Sequence, residues 1–200
     1  MKAGVLFSGG KDSALAALIL SRDYEVELNS FVFSAGTDTS ALESAARILG
    51  LPWKRRVFPE GFLEKMADLI IATRSPNMAI QEVHAAALNR LSRDYDVVAD
   101  GTRMDDRVPR FSPDEVRSIR DRTGCSYVRP LLGYGKREIE RLALRHFGIT
   151  YGETGRVANG DYEHELQKAV RLRGGEVTAL FPRDHQQSLI MESSGVKKYE

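Results

Sequence analysis

The sequence predicts an α/β fold built on an open, mostly parallel five-stranded sheet with helices on both faces. Three observations predict it. Strand-type and helix-type apolar patterns alternate along the first three quarters of the chain, the opening segment reads as a two-crossover strand–helix unit, and two glycines join its first strand directly to its first helix.

Residues 2–7 form an apolar run short enough for a buried strand, and residues 13–22 carry Ala, Leu and Ile at helical spacing. Residues 26–33 are the second strand. The next helix opens with Ser40 and Glu43 at the spacing of a capping box and closes at Gly50, and residues 53–58 are the third strand. Two helical stretches follow, 59–73 and 78–93, separated by a Ser75-Pro76-Asn77 breaker. Residues 97–99 make a short fourth strand. Ser112 and Pro113 start a helix that Gly124 ends, residues 127–131 are the fifth strand, and residues 136–147 are helical up to Gly148. Beyond this the pattern changes to a Gly-rich connection, a short helix near 162–173, and possible hairpin strands at 176–181 and 188–191. The division expected is therefore a main domain over 1–148 and a small C-terminal appendage over 149–200.

Composition narrows the class. The chain has 200 residues, 42% hydrophobic and 28% charged, which matches a globular protein of one domain with a modest appendage. No targeting segment is visible and the apolar stretch Ala14–Leu20 is too short to span a bilayer, so a cytoplasmic location and no membrane partner are expected. The single cysteine, Cys125, excludes an internal disulfide, a Cys-rich zinc site and a CxxC pair, so any metal is expected on oxygen ligands. A net charge of +1 gives no global attraction to nucleic acid.

The most informative segment is VLFSGGKDSALAAL. A strand ends, Gly9 and Gly10 permit a tight turn and close backbone approach, and the free N–H groups and positive dipole end of the next helix face one point. That is an anion site. Ser8 and Ser13 add hydroxyls, Lys11 adds positive charge, and Asp12 adds a carboxylate suited to a phosphate-bound Mg²⁺. The loop is neither a Walker A motif, since Val5 stands where that motif needs glycine and Asp12 follows the lysine, nor GxGxxG.

With SGGKDS in this context, the sequence resembles the PP-loop (N-type) ATP pyrophosphatases, of the adenine nucleotide alpha hydrolase-like superfamily, whose signature is SGGxDS. That superfamily includes synthetases of NAD, GMP, asparagine and argininosuccinate and enzymes of tRNA thiolation and lysidine formation. The resemblance implies a Rossmann-like, HUP-type sheet with adenine at its carboxyl edge, and ATP cleaved to AMP and pyrophosphate. A second block, VVADGTRMDDRVPR, sets Asp100, Asp105 and Asp106 among Arg103, Arg107 and Arg110 at the end of the fourth strand. On residue types alone it suits magnesium and phosphate or a solvated loop equally; it is similar to the family's GT-x-x-DD segment. A third, RPLLGYGKREIERLA, is similar to the family's R-P-L-x(4)-K-x-E-I segment and implies Lys136 at the pyrophosphate and Arg129 facing the cleft. The three blocks cover roughly residues 1–147.

Together these readings assign catalysis to Lys11, Asp12, Asp106 and Lys136, ATP contacts to Ser8, Gly9, Gly10, Lys11, Asp12, Ser13, Phe33, Ser34, Gly101, Thr102 and Lys136, and Mg²⁺ to Asp12 and Asp105. The expected reaction is adenylylation of a carbonyl or carboxylate oxygen, with pyrophosphate leaving first and AMP leaving on attack by a nitrogen or sulfur nucleophile. The acceptor is left between a tRNA base and a small molecule, with a sulfur- or ammonia-donor protein and a homodimer both open. In tRNA thiolases a cysteine often follows a Pro-Asn pair. Here Met78, Ala79 and Ile80 follow Pro76-Asn77, which weakens thiolation, and Cys125 reads as a packed residue. The alternative is a non-catalytic ATP-binding regulatory or partner subunit.

Other residues read more plainly. His84 and His146 are expected to be packed or at a helix end, and Asp161, Glu163, His164 and Glu165 to form a solvated face. His185, with Gln186 and Gln187, is a candidate substrate contact. Arg117, Arg120 and Arg122, and the run Lys54-Arg55-Arg56, are candidate tRNA-facing cations.

Overall fold

The computed structural model describes residues 1–181 and 186–193. Its main sheet has strands β1 (Lys2–Leu6), β2 (Glu25–Val32), β3 (Trp53–Val57), β4 (Val97–Ala99) and β5 (Ser126–Val128). They lie in the order β3-β2-β1-β4-β5 and every pairing is parallel. Helices α1 (Lys11–Leu20), α2 (Ser40–Leu49), α3 (Phe62–Thr73), α4 (Pro76–Leu91), α5 (Pro113–Thr123) and α6 (Lys136–Ala143) supply the crossovers. The fold is the expected Rossmann-like α/β sheet.

Side-chain alternation decides which helix covers which face. Ala3, Val5 and Phe7 pack with Val97, Ala99, Val26 and Leu28 under α1, α2 and α6. Leu6, Val98 and Phe31 point the other way, into a second core with α3, α4 and α5. The two-residue period of the strands thus builds two cores, which is why these strands read as continuous apolar runs.

Local signals explain most boundaries and several differences. Helix α5 has the full capping box, Ser112 and Glu115 satisfying each other's backbone N–H groups, and ends on left-handed Gly124. Helix α2 lacks the box expected at Ser40 and Glu43: its N-cap is Thr39, and the Asp38 carboxylate accepts from the Ser40 N–H instead, at 2.9 Å. Pro76 is the first residue of α4 rather than a breaker, a position where a missing N–H goes unused. Helix α6 stops at Ala143 and Phe147 opens a strand. Phe147 and Ile190 are buried in the core beneath α1, α2 and α6, and that tertiary burial overrides the helical reading of 144–147.

The C-terminal part contains β6 (Phe147–Glu153), α7 (Tyr162–Leu172), the single-turn α8 (Val177–Leu180) and β7 (Gln186–Ser193). The hairpin strand expected at 176–181 is therefore a helical turn, and the partner of β7 is β6, paired antiparallel. These elements lie directly on the glycine loop. The N–H of Gly160 donates to the Ser8 carbonyl at 2.8 Å, the N–H of Ile190 donates to the Gly9 carbonyl at 3.0 Å, and Leu189 packs over Gly9. His185 lies outside the described residues.

Gly101 is where the two halves of the sheet edge touch. A Cβ there would stand 2.7 Å from both the carbonyl carbon of Asp12 and the amide nitrogen of Ser13, backbone atoms that cannot rotate away, whereas a Cβ on Gly133 meets nothing within 4 Å. Gly101→Ala should lower the unfolding free energy by about 1–3 kcal/mol in denaturant titration, with Gly133→Ala near neutral. Equal stability of the two variants would show that the contact is slack.

Candidate functional site

Strands β1 and β4 are neighbours whose connections leave in opposite directions, and such a switch point opens a crevice at the carboxyl ends of the strands. A cavity of about 830 Å³ lies there, lined by the loop after β1, the loop after β4, α4, the start of α6, and residues 159–163 and 186–188. Its size suits a nucleotide or a similar ligand.

The glycine loop is fixed by its own hydroxyls. Gly9 has φ +76°, in the left-handed region, and Gly10 is the N-cap of α1 with no side chain to cap it. The Ser8 N–H donates to the Ser13 hydroxyl at 3.2 Å, and that hydroxyl donates to the Gly10 carbonyl at 3.1 Å. Capping of α1 comes from the far end of the chain, where the Ser188 hydroxyl accepts from the Lys11 N–H at 3.2 Å. A Cβ on Gly10 would press on Ser188 and Ser8 at 3.3 Å, so this glycine serves the seam with β7 as well as the cavity. Helix α1 begins at Lys11, two residues before the expected start, which places Lys11 and Asp12 in its first turn.

Lys11 is nearly buried, its side chain 8% exposed. Its ammonium lies 2.8 Å from one Asp12 oxygen and 3.9 Å from Glu140, which itself accepts a hydrogen bond from the Tyr151 phenol. The other Asp12 oxygen is 3.5 Å from Arg103. That guanidinium also lies 3.7 Å from Asp105 and pairs closely with Asp106, which in addition accepts from the Arg103 N–H at 2.7 Å. Asp106 is thus bound within its own loop rather than presented free. Asp105 caps α6 by accepting from the Lys136 N–H at 2.9 Å, and this bond holds its carboxyl below the usual range. Lys136 is exposed and is among the residues lining the cavity.

Several expected residues stand elsewhere. Phe33 packs against Phe58, Phe62 and Tyr162, and Ser34 is exposed and holds the turn at Gly36; neither lines the cavity, whereas Leu6 and Phe31 do. Gly9 is covered by Leu189 and is not among the lining residues, unlike Gly101 and Thr102. Arg129 lies over the Tyr127 ring, 5.3 Å from its centroid, and Arg110 is tied to Gln81 of α4; Arg107 does line the cavity. Arg56 is largely buried and pairs with Asp94, whereas Lys54, Arg117 and Arg120 are exposed and sit beside Glu27, Asp114 and Asp121 at the surface.

The structure also adds residues. Glu163, expected in solvent, is 2% exposed and lines the cavity, as does Asp161, which caps α7; His164, one position on, is exposed. Adjacent helix positions diverge by about 100°, so one acidic run serves two environments. Gln187 is bonded to Asp161 and Asn159, and all three reach the cavity. His84 lies there too, 2.6 Å from Asp100. Part of the lining was readable from spacing: Glu140 is one turn beyond Lys136, and Pro76, Asn77, Ile80 and His84 share one face of α4. The contributions of Tyr151, Asn159 and Gln187 depend on the β6–β7 pairing and had no local signal.

A family of unknown function, DUF7411, matches residues 1–192. The chain belongs to that family. The DUF7411 chain is 37% identical over 199 residues to the uncharacterized protein MJ0690 of Methanocaldococcus jannaschii, a match covering 99% of this chain and 98% of that one. A crystal structure described as a predicted subunit of tRNA methyltransferase, also from Methanocaldococcus jannaschii, aligns with TM-score 0.87 and 36% identity, covering 97% of this chain and 98% of that chain. The U34-tRNA thiolase NcsA of Methanococcus maripaludis aligns with TM-score 0.45 and 16% identity, over 72% of this chain and 55% of that chain, a level that carries no functional information. Among the described residues, no helix is long and apolar enough to cross a membrane.

Cys125 is buried and burial pushes its thiol up to about 11, so the reactive thiolate is scarce at neutral pH. Iodoacetamide should label the native protein at least about a hundredfold more slowly than the urea-unfolded chain, as expected for a packed thiol. Fast native labelling, read by mass spectrometry, would show that the cysteine is accessible after all.

Proposed function

We propose that the chain is an ATP-dependent enzyme of the PP-loop type that adenylylates a carbonyl or carboxylate oxygen of its acceptor, releasing pyrophosphate and then AMP as a nitrogen or sulfur nucleophile attacks. The observation that carries this reading is the loop of residues 8–13 at the β1/β4 switch point, where a helix N-terminus, a nearly buried lysine and Lys136 border one nucleotide-sized cavity. Backbone N–H groups of the first turn of α1 and the Lys11 ammonium would hold phosphate oxygens, and Lys136 would meet the charge that grows on departing pyrophosphate.

The charge balance of the cavity bears on the metal. Its lining includes four cationic side chains, Lys11, Arg103, Arg107 and Lys136, against seven carboxylates, Asp12, Asp100, Asp105, Asp106, Glu140, Asp161 and Glu163. Polyphosphate would meet net repulsion there unless divalent cations came with it. Among the described residues no group of three or more His, Cys, Asp or Glu side chains is arranged to hold a metal alone, so the donor set fits Mg²⁺ whose shell is completed by phosphate and water. Asp12 is the carboxylate in the loop itself, and Asp105, which also lines the cavity, is the second ligand proposed. When bound, Mg²⁺ would neutralise phosphate charge in the ground state and during departure of pyrophosphate.

A tRNA acceptor is the favoured class because the relative of TM-score 0.87 carries a tRNA methyltransferase description over nearly its whole length. With a single, buried cysteine, sulfur would have to arrive as sulfide or on a donor protein. The word subunit in that description favours one second reading, a nucleotide-binding partner without chemistry of its own.

Paired measurements separate the two. With Mg²⁺, ATP should bind in preference to GTP, EDTA should weaken ATP binding about tenfold or more, and Gly10→Val should abolish it. With tRNA from cells lacking this protein and ammonium or sulfide as nucleophile, the products should be AMP and pyrophosphate. Lys136→Ala should slow turnover about a hundredfold while weakening ATP binding far less. ADP as the sole nucleotide product would overturn adenylylation, and tight ATP binding without turnover on any acceptor would favour the partner reading.

A further inference from the structure

Asp100 is 2% exposed at the end of β4 and has three hydrogen-bond donors. His84 Nε2 lies 2.6 Å from Oδ2, the Tyr127 phenol donates to the same oxygen at 2.6 Å, and the Thr102 N–H donates to Oδ1 at 2.9 Å. Burial raises the carboxyl, but hydrogen bonding and charge from His84, with the bonds from Tyr127 and Thr102, hold it below the usual range. The same site, with burial foremost, pushes the Tyr127 phenol far up, so it remains a donor. An ionised carboxylate can only accept, so the ring of His84 must present an N–H to it from Nε2.

That arrangement decides the other nitrogen. The His84 side chain is 13% exposed, lines the cavity, and makes no other hydrogen bond among the described residues, so Nδ1 is left for whatever enters. Asp100 does not need the histidine to be satisfied, because Tyr127 and Thr102 already bond both of its oxygens. Phe111 closes one side, its ring 6.1 Å from His84 and edge-on to Tyr127 at 5.5 Å, which limits water around the imidazole. The Thr102 hydroxyl, buried in the same lining, lies beside the Tyr127 phenol without reaching full hydrogen-bond geometry. This weakly engaged hydroxyl and the oriented imidazole border the same space, as a polar ligand would require.

We propose that His84 is the proton acceptor of this cavity, with Asp100 and Tyr127 as positioning residues that fix its tautomer and Thr102 as a contact to the acceptor. Its place in the reaction rests on the adenylylation reading. An amine or thiol nucleophile forms its N–C or S–C bond at the activated carbon and gives its proton to Nδ1. The bond between that carbon and the adenylyl oxygen breaks, its electron pair leaves with AMP, and the imidazolium formed is balanced by Asp100.

Nitrogen NMR of histidine-labelled protein at mildly alkaline pH, with His84→Gln assigning the resonances, tests the tautomer without any acceptor. The expected spectrum has a protonated Nε2 and a bare Nδ1 on His84, with that preference lost in Asp100→Asn; a proton on Nδ1 in the neutral wild-type ring overturns the proposal. In the tRNA assay with ammonium, His84→Ala should slow AMP formation about a hundredfold, keep the ATP dissociation constant within about twofold, and recover part of its rate with added imidazole. Full activity in His84→Ala, or a loss that imidazole does not touch, also overturns it. If the wild type releases no pyrophosphate the adenylylation reading fails, and the tautomer alone decides whether the proton-accepting site exists.

Discussion

The first turn of α1 and the backbone at Gly101 lie so close that no side chain fits between them, a Cβ on Gly101 falling 2.7 Å from the backbone of Asp12 and Ser13. This contact fixes the loop after β4 relative to the glycine loop. With Gly101 held there, Asp100 is driven into the interior beneath the cavity and Arg103 is carried out over Asp12. A buried carboxylate without donors would be expensive, and the Tyr127 phenol of β5 and the Thr102 N–H satisfy Asp100, while His84 of α4 adds a third contact. One steric constraint thus links α1, α4, β4 and β5 around a single cavity.

The C-terminal elements answer a different requirement. A helix that starts on two glycines has no side chain of its own to satisfy its first N–H groups. In α1 the Ser188 hydroxyl of β7 takes the Lys11 N–H, and the Ser8 and Gly9 carbonyls take N–H groups from Gly160 and Ile190. Residues 159–163 and 186–188 therefore shape the glycine loop and line the cavity at once, which is why residues after 148 belong to the description of the site.

Legibility in the sequence follows the range of the interactions. All five strands, the parallel order of their crossovers and the strand–Gly-Gly–helix junction rest on local periodicity and turn chemistry, and each is found in the structure. The start of α5 at Ser112 and Pro113 was legible for the same reason, since both are local signals, whereas the capping box expected at Ser40 and Glu43 forms instead at Ser112 and Glu115. Phe147 was misread because its burial against α1 and α6 outweighs the helical pattern preceding it. Glu163 was misread because an acidic run looks solvated until the cavity its helix borders is known. The partner of Lys136 in capping, Asp105, lies 31 residues away, and no local pattern announces such a pair.

Arg103 ties these threads together through charge. It stands among Asp12, Asp105 and Asp106, three carboxylates whose mutual repulsion would otherwise loosen the rim of the cavity. Lys11 is likewise committed to Asp12, and the N-terminus of α6 to Asp105. Lys11 and Arg103, two of the cationic groups suited to phosphate, are therefore already paired, and a polyphosphate would have to displace carboxylates from them. Such an exchange is unfavourable for a bare anion and becomes favourable when divalent cations take over the released carboxylates. On the proposed reading, nucleotide and Mg²⁺ then enter as one unit. His84 and Asp100 stand outside that exchange, because their hydrogen bonds run among α4, β4 and β5 and involve none of the groups that phosphate would release.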